Sequence, residues 1–100
     1  MELRDHYREF RARGAEVAAL AVNTLQAVEV VQASVSAPYP MLADPDHRVA
    51  EAYGVYNRLG DGLAAPAVFV IANDGRILWS HIGQHVGDRP TAQEILERLP

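Results

Sequence analysis

The sequence contains no cysteine. That absence removes disulfides, thiolate nucleophiles and cysteine-based metal sites together. No apolar run approaches the roughly 18 residues of a membrane span, so no membrane partner is expected. The opening Met1-Glu2-Leu3-Arg4-Asp5 lacks the basic region and apolar core of a secretory signal, and the expected compartment is the cytoplasm. Concentrated basic surface is missing too. The formal net charge is −4, and the densest basic stretch, Arg4, Arg8, Arg11 and Arg13, is interleaved with Glu2, Asp5 and Glu9. That is a solvated helix face laced with i,i+4 pairs, and it argues against nucleic acid as a partner. Gly60-Asp61-Gly62 has neither the strand–helix context nor the lysine of a phosphate loop. No nucleotide or other cofactor is expected.

The chain has 100 residues, 49% of them apolar and 22% charged, which predicts one soluble globular domain over 1–100. Leu3, Tyr7 and Phe10 recur at helical spacing, so residues 2–13 read as a helix closed by Gly14. Residues 16–22 are short and almost continuously apolar, as in a strand covered on both faces. A second helix is expected over 24–34, capped by Asn23 or Thr24, with Leu25, Val28 and Val31 facing the sheet. Pro38 and Pro40 forbid its continuation. A third helix is expected from Pro45 to Tyr53, with Asp44 as its cap and Gly54 as its stop. Ala67-Val68-Phe69-Val70-Ile71 is the strongest strand, and Asn73-Asp74-Gly75 turns it into a return strand from Arg76 to Ile82. Thr91 and Glu94 have capping-box spacing and open a last helix. The expectation is an α/β fold with a small mixed sheet (strands about 16–22, 67–72 and 76–82) and four helices. A right-handed crossover would join the first two strands.

Several strings resemble one group of proteins in order and spacing. These are Tyr7 through Val17, Pro40-Met41-Leu42-Ala43-Asp44-Pro45-Asp46 leading to Tyr53-Gly54-Val55, Pro66 through Ile71 followed by Asp74-Gly75-Arg76-Ile77, and Asp88-Arg89-Pro90. They are similar to the thioredoxin-fold redoxins: the peroxiredoxin-like and thioredoxin-like families, including the alkyl hydroperoxide reductase/thiol-specific antioxidant group. The resemblance implies a thioredoxin-like fold in which a strand and the active-site cysteines precede the helix at 2–13. On that reading the chain is truncated at its N-terminus. It also departs from typical peroxiredoxins, which carry an arginine three residues before the strand phenylalanine. Pro66 stands there, the thioredoxin-type choice, and Ala72 stands where an aspartate often ends the strand.

The resemblance makes Ala65-Pro66 the candidate cis-proline groove, the surface beside the family's thiols. No catalytic residue is expected within the chain. Ser34, Ser36, Ser80, Thr24 and Thr91 are poor nucleophiles without a base. His81 and His85 are separated by Gly83, which disfavours the helix that i,i+4 zinc binding needs, so no metal is expected. Asp44, Asp46 and His47 are better explained by capping, and Trp79 by anchoring the core. Two functions follow. One is a family member whose ancestral role is thiol-dependent peroxide or disulfide reduction, inactive as this cysteine-free chain. The other is a non-catalytic interaction module, a homodimer through a sheet edge or swapped element, or one that binds a protein partner beside Pro66. In the family fold the missing strand lies between 16–22 and 67–72, so those two strands are expected either to pair directly or to be completed by a second chain.

Overall fold

The computed structural model describes residues 2–100. The elements are α1 (Glu2–Asp5), α2 (Tyr7–Ala12), β1 (Ala19–Ala21), α3 (Leu25–Val35), β2 (Met41–Ala43), α4 (Arg48–Ala52), β3 (Ala67–Ile71), β4 (Ile77–Ile82) and α5 (Ala92–Glu97). The α/β class, the β3–β4 hairpin and the last helix are as the sequence predicts, whereas the first expected helix is two, which makes five helices among the described residues where four were expected. None of these helices is long and apolar enough to cross a membrane.

Local chemistry accounts for the boundaries. The helix expected over 2–13 is broken at His6, whose backbone sits at φ −104° and ψ 7° between α1 and α2. Gly14 (φ +77°) closes α2. There Ala15 N–H donates to Phe10 O at 2.9 Å and Gly14 N–H to Arg11 O at 3.0 Å, the paired bonds of a Schellman motif. Gly54 closes α4 in the same way, with Val55 N–H on Ala50 O and its own N–H on Glu51 O. Thr24 caps α3, and Thr91 with Glu94 forms a complete capping box on α5.

Three expectations need correction. The strand expected over 16–22 is only Ala19–Ala21. Val17 N–H is held by the Glu16 carboxylate at 2.9 Å, and the chain turns where Asn23 N–H reaches Ala21 O. Alanine adds little strand propensity to resist either. Met41–Ala43, unanticipated, pairs with it in parallel. The helix expected from Pro45 begins only at Arg48, because Pro45 and Asp46 form a turn that His47 N–H closes on Asp44 O. Finally, Val28 is buried, but Leu25 and Val31 are 58% and 45% exposed. The sheet beneath α3 is too narrow to cover them.

The strands form two separate pairs, parallel β1–β2 and antiparallel β3–β4. Direct pairing of β1 with β3, one of the two outcomes anticipated, does not occur. The buried cluster of Phe10, Val70, Ala92, Ile95 and Leu96 joins α2, β3 and α5, and Val17, just before β1, packs against it together with Val68 and Trp79. The two pairs share no ladder; Tyr53, at the end of α4, packs edge-on against Phe69 of β3 with ring centroids 4.8 Å apart.

Candidate functional site

The Ala65-Pro66 corner is where β3 leaves the loop before it. Ala65 is buried, and its N–H donates to Val55 O at 2.9 Å. Pro66 O accepts from Gly83 N–H at 2.7 Å, which ties the start of β3 to the residue after β4. No peptide bond among the described residues is cis, so the Ala65–Pro66 bond is trans and the cis expectation is corrected. Trans is the intrinsically favoured isomer before proline by about 0.5–1 kcal/mol.

Gly83 allows this corner to close. A Cβ there would lie 2.5 Å from Asp88 O and 3.0 Å from both Pro66 O and Pro66 Cγ. The sequence offered Gly83 only as an argument against a helix. Asp88 fastens the loop beyond it: one carboxylate oxygen lies 2.9 Å from His81 Nε2, and the other accepts from Gln84 N–H at 2.9 Å. The bond from Gln84 N–H and then the one with His81 hold the Asp88 carboxyl below its ordinary value of 3.8. A depressed carboxylate contributes stability above its unfolded value, and that contribution is lost as pH falls through the folded value. Asp88→Asn should therefore flatten the acid limb of the stability profile below about pH 4 and leave the neutral limb nearly parallel, as read from urea midpoints against pH.

Two hollows adjoin the corner. The smaller, about 260 Å³, is lined by Leu3, Pro66, Val68, Arg89, Pro90 and Ile95 among others. The larger, about 1190 Å³, runs between β1 and β3 and takes in 13–23 on one wall and 63–73 on the other. The lining is more apolar than polar, with Arg13, Glu16, Asn23, Asn73 and Arg89 among its polar residues, and it contains no serine, threonine or histidine. Three hydroxyls serve the backbone: Thr24 and Thr91 cap helices, and Ser34 donates to Val31 O. No serine or threonine hydroxyl is hydrogen-bonded to a histidine among the described residues. His81 turns to Asp88 rather than to His85, and no group of three metal-ligating side chains occurs among the described residues. Asp44 is buried and accepts from Val49 N–H and Ala50 N–H, so it serves the start of α4 from three residues before the N-cap position, which His47 occupies instead of Asp44. Trp79 packs on the core, with the Arg98 guanidinium 5.4 Å from its ring centroid.

A family model described as the AhpC/TSA family matches residues 1–80. The chain belongs to the AhpC/TSA family. Its fold is that of solved AhpC structures. It is similar to AhpC of Enterococcus faecalis, with a TM-score of 0.88 and 24% identity over 98% of this chain and 60% of that one. It is similar also to AhpC of Mycobacterium tuberculosis, with a TM-score of 0.83 and 23% identity over 95% of this chain and 54% of that one. A peroxiredoxin 6 of Arenicola marina follows with a TM-score of 0.75 and 23% identity, over 94% and 48% of the two chains. This chain thus spans between half and three-fifths of the AhpC chains it matches. No curated protein matches it. The thioredoxin-like α/β fold of these AhpC structures is shared by nearly the whole of this chain.

Proposed function

We propose that these 100 residues are the scaffold portion of an AhpC/TSA-type redoxin and do not reduce peroxides or disulfides on their own. The observation that carries this reading is the family match joined to the absence of cysteine. Peroxide reduction by a thiol protein requires an ionised sulfur, the soft nucleophile whose oxidation takes up the peroxide oxygen. Serine and threonine hydroxyls are poor substitutes for a thiolate, and those of Thr24 and Thr91 are engaged as helix caps. Incubation of the 100-residue chain with hydrogen peroxide or an alkyl hydroperoxide and a thiol reductant should consume peroxide at the protein-free rate. Turnover that scales with protein concentration and survives metal chelation would refute the reading.

A second reading is favoured by one specific feature: the two strand pairs are not joined to each other. In this reading the chain works by contact, and its open sheet edges beside Pro66 pair with another polypeptide. Chemical cross-linking with mass spectrometry would then place partner links around 17–22 and 66–72. Links confined to α3 would contradict it.

A further inference from the structure

We infer that His47 is a proton-dependent clasp. With its imidazole protonated it holds the loop over 56–64 against the start of α4, and with the imidazole neutral that hold loosens. Imidazole is the side chain that ordinarily changes charge between about pH 5 and 8.

The backbone at His47 is the first reason. Thr24 and Thr91 cap their helices from extended conformations with their side-chain oxygens. His47 occupies the same position on α4 at φ 53° and ψ 22°, and its side chain makes no cap bond. A residue with a Cβ adopts this left-handed region at a cost, so surrounding contacts must hold it there. The backbone supplies two of them: His47 N–H donates to Asp44 O at 3.0 Å, and His47 O accepts from Glu51 N–H at 2.9 Å. The ring supplies the others. It lies flat on the Tyr56 ring, with centroids 3.9 Å apart and planes 10° from parallel. Its Nδ1 lies 2.8 Å from Glu51 Oε1, one turn along α4. Tyr56 is bridged to Ala64, which closes the loop between them. Inside that loop Asn57 N–H donates to Leu63 O, and Gly62 N–H to Asn57 Oδ1. One imidazole therefore joins α4 to the loop that runs into Ala65 and Pro66.

The proton decides how strongly those contacts attract. His47 Nδ1 is shut off from solvent, and the Glu51 carboxylate, though close, lies off the line of a hydrogen bond to it. A protonated ring does not depend on that alignment, because the attraction is between whole charges. A neutral ring has only the misdirected hydrogen bond to offer. The face of Tyr56 likewise favours a cation over a neutral ring. The charged and titratable groups of the adjoining segments are Asp44 and Asp46 before the ring, Arg48 and Glu51 in α4, and Tyr56, Arg58 and Asp61 in the loop. Most are committed elsewhere. The Asp44 oxygens accept from Val49 N–H and Ala50 N–H, and Asp46 pairs with Arg48 at 2.9 Å. Arg58 donates to Gly54 O, and Asp61 accepts from Leu63 N–H. Among these groups, Glu51 is the carboxylate that answers the imidazolium. The hold is thus present when the imidazole is charged and is lost as pH rises through its titration.

Amide exchange and proton NMR on the 100-residue chain, between about pH 5.5 and 8 and corrected for intrinsic base catalysis, test the clasp. Protection of the Glu51, Asn57 and Gly62 amides should fall about three- to tenfold over that range, the size of effect an exposed ion pair and a cation on a ring supply. The midpoint should match the titration of the His47 ring protons. The Ile95 amide, held by Thr91 O at the start of α5, should keep its protection. His47→Asn puts an uncharged residue that tolerates the left-handed region in the same place. It should abolish the pH response and leave the loop protected as in the native chain at pH 8. Glu51→Gln, at a side chain 54% exposed, should fold normally and show a response at least about twofold smaller. A response unchanged in His47→Asn overturns the inference, because another group would then be titrating. Protection that stays constant while the His47 ring titrates also overturns it. So do loop amides without protection at either end of the range, because the clasp would then hold nothing.

Discussion

Replacing Gly83 with valine should cost the fold about 3 kcal/mol, the upper end of what overpacking costs, and alanine about 1–3 kcal/mol. Even one Cβ would stand 2.5 Å from the backbone oxygen of Asp88 and 3.0 Å from the Pro66 carbonyl oxygen. Neither is the end of a flexible side chain, so backbone must move. The motion available is separation of β4 from the start of β3, which breaks the 2.7 Å bond between Gly83 N–H and Pro66 O. It would also lift the Asp88 loop away from His81. A domain of this size has a total stability of roughly 5–15 kcal/mol. Valine at 83 should therefore lower the melting temperature by more than about 10 °C, taking about 4–8 °C per kcal/mol for a 100-residue domain. Differential scanning calorimetry measures this directly. An unchanged melting temperature would mean that the Pro66 corner is not closed in solution.

Asp44→Ala carries the second large effect. The Asp44 side chain is almost fully buried at 3% exposure and accepts from Val49 N–H at 3.3 Å and Ala50 N–H at 2.9 Å. Its own N–H joins β2 to β1 through Ala21 O, so the residue fixes the end of the parallel pair as well as the start of α4. Alanine would leave two helix N–H groups short of an acceptor in a dry setting, at a cost of about 1–3 kcal/mol. Asp44→Asn keeps one acceptor oxygen and should recover about half of that loss. Urea unfolding at pH 7 of the three proteins should rank them native, then asparagine, then alanine, with equal slopes. Equal midpoints for alanine and the native chain would remove the cap from the account.

The parts of the fold that were legible in the sequence carry their own local chemistry. Thr91 and Glu94 state a capping box in one tetrapeptide, and Asn73-Asp74-Gly75 states the hairpin. Gly14 and Gly54 mark helix ends because each must adopt positive φ. What was not legible is set by distant partners. Met41, Leu42 and Ala43 have no strand propensity to speak of and become a strand only because β1 lies alongside. The exposed Leu25 and Val31 show the same limit: helical spacing predicts an apolar stripe but not whether a sheet extends beneath it.

The candidate site divides in the same way. Pro66 was singled out by the resemblance of 66–71 to the redoxin strand, and Asp44 as a cap for a helix expected to start at Pro45. Gly83 and Asp88 were missed as a pair. Their importance lies in a close approach between residues 17 positions apart in the chain, 66 and 83, and no local pattern announces it. The groove between β1 and β3 was anticipated as an unpaired neighbourhood. In the structure the two strand pairs are not hydrogen-bonded to each other, and the hollow lies between them.

The central claim is that β1 and β3 present unpaired edges to a common groove in a chain that has the AhpC/TSA fold. Amide hydrogen exchange on the free 100-residue chain tests it most directly. The account predicts alternation along β3, with Val68 and Val70 protected by β4 and Ala67, Phe69 and Ile71 exchanging far faster. On β1 it predicts fast exchange at Leu20 beside slow exchange at Ala19 and Ala21. Uniform protection along Ala67–Ile71 and at Leu20 would contradict it, because those edges would then already be paired.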